Sequence, residues 1–111
     1  STSAIRSVLA HAVVMQGRSD EAQKILQPAL AYYEGEQKAG ADGTTFRRDY
    51  AYALYAGAIA APGDGAGRKQ RDAAWTQAAG LIAGASKEAQ QLADMRNTGS
   101  LIAVARATPA S

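Results

Sequence analysis

The sequence predicts an all-α fold: antiparallel helical hairpins, roughly five to six helices in all. Three observations carry this. Roughly a quarter of the 111 residues are alanine, the best helix former and one small enough to let helices approach closely. Apolar residues recur at three- and four-residue intervals while period-two alternation is absent, so no strand is expected. Glycine, proline and small polar residues divide the chain into pieces of helical length.

The first helix is expected over about 3–16. Ile5, Val8, Leu9, Ala12 and Val13 recur along it and make one apolar face. Gly17 can take the left-handed conformation that closes it, and Ser19 or Asp20 can cap the next. That turn is so short that the two helices must lie antiparallel and touch. The second helix carries Ala22, Ile25, Leu26, Ala29, Leu30 and Tyr33 on its buried stripe and fades over 35–43. Pro28 removes one backbone donor inside it, and a kink is expected there because the apolar period continues through.

Thr44 or Thr45 can cap a third helix running to about Ala61, followed by the glycine-rich stretch 62–67, read as a flexible loop. A fourth helix is expected over about 68–83, with Ala74, Ala78, Leu81, Ile82 and Ala85 in register and Gly84 at its end. Ser86 can cap a fifth running to about Asn97. Asn97-Thr98-Gly99 reads as a turn, and Ser100 starts a short sixth helix through Leu101, Ile102 and Ala105. Residues 108–111 are expected to fray. Leu92, Met95, Leu101 and Ile102 are expected to cover the open end of the array; a second copy of the chain, or a larger parent chain, could do so instead.

Leu9-Ala10-x-x-Val13-x-x-x-Gly17 matches Tyr55-Ala56-x-x-Ile59-x-x-x-Gly63, 46 residues on (56 minus 10). Ala22 follows five residues after the first glycine. Its counterpart after the second is Ala74, which requires about six extra loop residues over 64–69. The pattern Leu9-Ala10…Val13…Gly17-Arg18-Ser19-Asp20-Glu21-Ala22…Leu26…Ala29 resembles one repeat of the tetratricopeptide (TPR) family, well over residues 3–34 and, with the insertion, over 50–85. The resemblance implies a TPR-like domain over 1–111, with hairpins at 3–39 and 44–84 and capping helices at 86–107. It implies an inner groove lined by Ser7, His11, Val14 and Met15 from the first helix and by Tyr50, Ala53, Gly57 and Ala60 from the third. Family members that grip a peptide's terminal carboxylate use lysine, arginine and asparagine at such positions. Ser7 and His11 depart from that pattern and argue against that mode.

Composition narrows the function. At this length one small domain is expected. The net charge is +2 and basic residues alternate with acidic ones, as in Arg47-Arg48-Asp49. A nucleic-acid partner, which selects a one-signed stripe, is therefore not expected. Cysteine is absent, which removes disulfides and thiolate metal sites and leaves the redox compartment open. The most apolar stretch, 51–61, is too short to span a bilayer. With no basic-then-apolar leader and no initial methionine, the chain reads as a mature fragment or a piece of a longer protein. Localisation stays open, with the cytoplasm favoured.

His11, the one histidine, reads as a pH-sensitive groove contact or as a polar residue beside the core. It lacks a second ligand at helical spacing, so neither metal nor cofactor is expected. Ser7 stands four residues before it without an acid partner or an oxyanion donor, so catalysis is not expected. Tyr33, Tyr52 and Tyr55 are expected in the core, and Tyr50 and Tyr32 exposed enough to bind. Trp75 reads as an inter-helix filler. Residues 63–69 lack the preceding strand and the Gly-Lys-Ser/Thr ending of a phosphate loop. The expectation is a non-catalytic protein- or peptide-binding scaffold. The alternative is a regulatory domain that takes a small-molecule effector into the same apolar groove, marked by a closed pocket near Tyr50 and Trp75.

Overall fold

The computed structural model describes residues 1–107; the fraying expected at 108–111 lies outside the described residues. Six helices follow one another: α1 (Thr2–Met15), α2 (Ser19–Lys38), α3 (Thr44–Ala60), α4 (Gly65–Ala83), α5 (Lys87–Gln90) and α6 (Ala93–Ala107). Among the described residues there is no strand. The antiparallel pairs α1/α2 and α3/α4 form two hairpins. Helix α3 packs on both helices of the first hairpin, and α6 closes against α3 and α4. The stacked pairs are compatible with a helical repeat fold.

Gly17, at φ +80°, makes the left-handed turn between α1 and α2. The second helix starts at Ser19 without a side-chain cap, its N-cap being Arg18. It runs through Pro28 without a break. Ala22, Leu26, Ala29 and Tyr33 are buried along it, with Ile25 and Leu30 packed against the core from the edge. Ala10 and Ala56, the small residues aligned by the internal match, are both fully buried. Helix α3 also begins without a side-chain cap, at Gly43 instead of at either threonine.

Three expectations are corrected. The apolar face read on the first helix is not the buried one. Ser3, Ser7, Ala10 and Val13 face inward, while Ile5, Val8 and Leu9 stay 69%, 60% and 50% exposed. Small residues let α2 and α3 sit close, and the Ser7 hydroxyl is satisfied inside the helix by donating to the Ser3 carbonyl (3.0 Å).

The second half of the glycine-rich stretch, from Gly65, is helix. Asp64 caps α4 by accepting from the Gly67 amide (2.7 Å), so only 61–64 remains as the connection and no loop insertion separates the second pair. Gly67 is required there: a Cβ would lie 1.9 Å from the Pro62 carbonyl oxygen.

The third correction concerns the C-terminal helices. Ser86 caps α5 as expected, accepting from the Ala89 amide (3.1 Å), but α5 ends at Gln90. Residues Asn97-Thr98-Gly99 lie inside α6 instead of in a turn. The Thr98 hydroxyl folds back onto the Asp94 carbonyl (3.0 Å), and Gly99 is a contact point, where a Cβ would stand 3.4 Å from Ile82. Met95 and Ile102 seal the end of the core, whereas Leu92 and Leu101 remain exposed.

Candidate functional site

Two hollows lie along α3 and make up an open trough, one walled by α1 and α6 and the other by α6 alone. At one end, Ala4, Ser7 and Val8 of α1 meet Arg48, Asp49 and Tyr52 of α3 and Thr98 of α6 around a hollow of about 150 Å³. Beyond it, Tyr55 of α3 and Asn97, Ser100, Leu101, Val104 and Ala105 of α6 line a wider depression of about 480 Å³. Val8 also borders a third hollow on the outer side of α1, with Ala4, Ile5, Leu9 and Ala12.

His11 of α1 touches one tyrosine from each hollow. Its Nδ1 lies 2.5 Å from the Tyr52 hydroxyl, and its ring meets Tyr52 and Tyr55 edge to face at centroid distances of 5.6 and 5.3 Å. With the ring neutral and protonated at Nε2, the tyrosine donates to Nδ1. Partial burial favours that neutral form and lowers the His11 pKa below 6.5. The same burial raises the Tyr52 phenol above its usual value, so its hydroxyl stays protonated.

Charge at the trough is paired. Arg48 donates through Nε to Asp49 (3.0 Å) and through a terminal nitrogen to Asp94 of α6. The Arg48 hydrogen bond holds the Asp94 carboxyl below the usual carboxylate range. Its neighbour Arg47 turns the other way, donating to the Leu81 carbonyl at the end of α4 (3.1 Å) and to the Asp42 carbonyl (3.0 Å). Consecutive arginines thus tie the start of α3 to α4 and α6. Sequence reasoning took them only as part of a mixed charge pattern; nothing local to the chain reveals partners 34 and 46 residues away.

The residues assigned to the groove from sequence divide. His11 lines neither hollow but touches Tyr52 and Tyr55, which do, and Ser7 lines the narrower one, though only 1% exposed. Val14 packs against the core, while Met15 is 74% exposed. Tyr50, Ala53 and Ala60 are buried and offer no surface. Tyr50 stacks on Tyr33 (5.5 Å) and accepts from Gln77 of α4 (2.9 Å). Gly57 faces α2, where a Cβ would stand 3.2 Å from Leu26. Of the tyrosines, Tyr33 is buried and Tyr32 exposed as expected. Tyr50 is buried instead of exposed, and Tyr52 and Tyr55 are half-buried, Tyr55 packing against the core, because α2 covers the Tyr50 side of α3 while the other side meets α1 at His11. Trp75 fills the interior beneath the Arg71 guanidinium, 5.1 Å from its ring.

The Ser7 hydroxyl is engaged by the Ser3 carbonyl and His11 Nδ1 by the Tyr52 hydroxyl, not by each other. Among the described residues no three His, Asp or Glu side chains converge as a metal site, and no helix is long and apolar enough to cross a membrane. Comparison with protein-family models, with curated proteins and with solved structures finds no match.

Proposed function

We propose that this chain is a non-catalytic, TPR-like scaffold that holds a protein segment or peptide in the trough between α1, α3 and α6. One observation carries the reading: Val8, Leu101 and Val104 stay 60%, 38% and 66% exposed around the His11–Tyr52–Tyr55 cluster. Tyrosine combines apolar area with a polar tip and loses little entropy when it anchors a partner, which is why it recurs at binding hot spots. The opposite charges of Arg48 and Asp94 satisfy each other, so an occupant needs an apolar face more than a charged one. Both hollows are open to solvent, which suits an extended or helical segment. A small effector favours an enclosed cavity, and Tyr50 and Trp75, where one was sought, are packed into the core.

The test uses peptides selected from a random displayed library against the intact chain. Tyr55→Ala and Leu101→Asp are each expected to weaken the selected peptides at least tenfold, about 1.4 kcal/mol, with unchanged helix content. Peptides that bind both variants as well as the parent would place the docking surface elsewhere.

A further inference from the structure

Helix α1 is built as an interior helix but lies at an edge. Arg6 is its only charged residue, and its outward side carries Ile5, Val8, Leu9, Ala12 and Met15. A helix that ends an array ordinarily shows water a polar face, and one that turns a continuous apolar stripe outward is ordinarily covered. The exposed residues are also spaced for a particular kind of cover. Ile5, Val8, Ala12 and Met15 follow at intervals of three, four and three residues, the spacing of a two-helix seam, with Leu9 beside it.

We propose that this stripe is a self-association surface on which α1 of a second copy packs about a two-fold axis. The argument for a second copy rests on charge and shape. No charge lies on the stripe, and the chain carries only +2 overall, so two copies meet with no like charges opposed. A two-fold contact needs a surface complementary to itself. A helical ridge with seam spacing is one, and Ala12 within it lets the two backbones close in. A standard stable interface takes about 800 Å² from each partner, some 20–30 residues. One short helix face supplies less, so the expected dimer is weak and concentration-dependent. Val8 borders both the trough and the outer hollow, whereas Ile5, Leu9 and Ala12 border the outer hollow alone, so variants at Leu9 test the pairing apart from the trough's occupant.

Sedimentation velocity of the full chain from about 1 to about 200 µM tests the proposal. The average mass is expected to rise with concentration from 11.5 kDa toward twice that value. Leu9→Glu is expected to stay monomeric throughout with unchanged helix content, and Leu101→Glu, on the far wall, to follow the parent. Met15→Glu, at a position 74% exposed, repeats the test should Leu9→Glu perturb the fold. A parent monomeric at the highest concentration overturns the proposal. So do well-folded stripe variants that associate like the parent, or dissociation caused by Leu101→Glu instead.

Discussion

At the scale of single residues, His11 has the most to report, because its ring links α1 to two tyrosines of α3 that line the trough. Its pKa lies below 6.5 in the folded chain because burial disfavours the imidazolium. Near that pH the unfolded chain therefore binds more protons than the folded one, and stability rises with pH. The His11 contribution is complete above about pH 6.5, falls as the solution is acidified, and levels off once the folded ring is itself protonated. Thermal unfolding at pH 7.5 and 5.5 is expected to show a smaller acid loss in His11→Phe than in the parent. Equal losses would remove His11 from the acid response. The sequence exposed half of this site. A histidine at an inner helical position is legible from spacing, but its tyrosine partners are not, because the rotation of α3 about its axis is set by which side α2 covers. Tyr50, Tyr52 and Tyr55 look alike in a local window and differ only in what packs against them.

Glycines give the sharpest test at the scale of the elements. Helix α4 contains Gly67, pressed against the Pro62 carbonyl, and Gly80, with nothing within 4 Å of an added Cβ. Gly80→Ala is expected to stabilise the chain by about 0.5–1 kcal/mol through the cost that glycine imposes on a helix interior. Gly67→Ala is expected to destabilise it by about 1–3 kcal/mol, since the turn must move. Chemical denaturation of the two variants would decide, and a stabilising Gly67→Ala would refute the close approach. Pro28 belongs to the same argument: exposed on α2 and lacking an amide hydrogen, it is expected to cost more than alanine. Pro28→Ala should raise the denaturation midpoint, and a lowered one would mean the proline is needed for the path of the helix. Helix existence was legible in the periodicity. The start of α4 was not, because a Gly-Asp-Gly run reads as loop until Asp64 is seen capping it. The course of α6 was hidden by Asn97-Thr98-Gly99, whose turn chemistry yields to packing on Ile82.

For the whole molecule, stability and surface draw on different residues. Leu26 is 1% exposed between the stacked helices, and Leu26→Ala is expected to cost about 2–5 kcal/mol. Leu9→Ala, at a position 50% exposed, is expected to change monomer stability by less than about 0.5 kcal/mol. Denaturant titration at dilutions where the chain is monomeric measures both, and comparable costs would mean that Leu9 belongs to the core after all. The hairpin order and the all-α class follow from composition, period and turns. What the linear pattern obscures is that α1 turns its small residues inward and its large ones outward.

That inversion separates two kinds of selection that usually fall on the same side chains. In most helices a large aliphatic residue is retained because the fold fails without it. On α1, a library of variants scored for cellular abundance should be nearly indifferent at Ile5 and Leu9 and intolerant of bulk at Ser7 and Ala10. Scored for association, the same library should rank those positions in the reverse order.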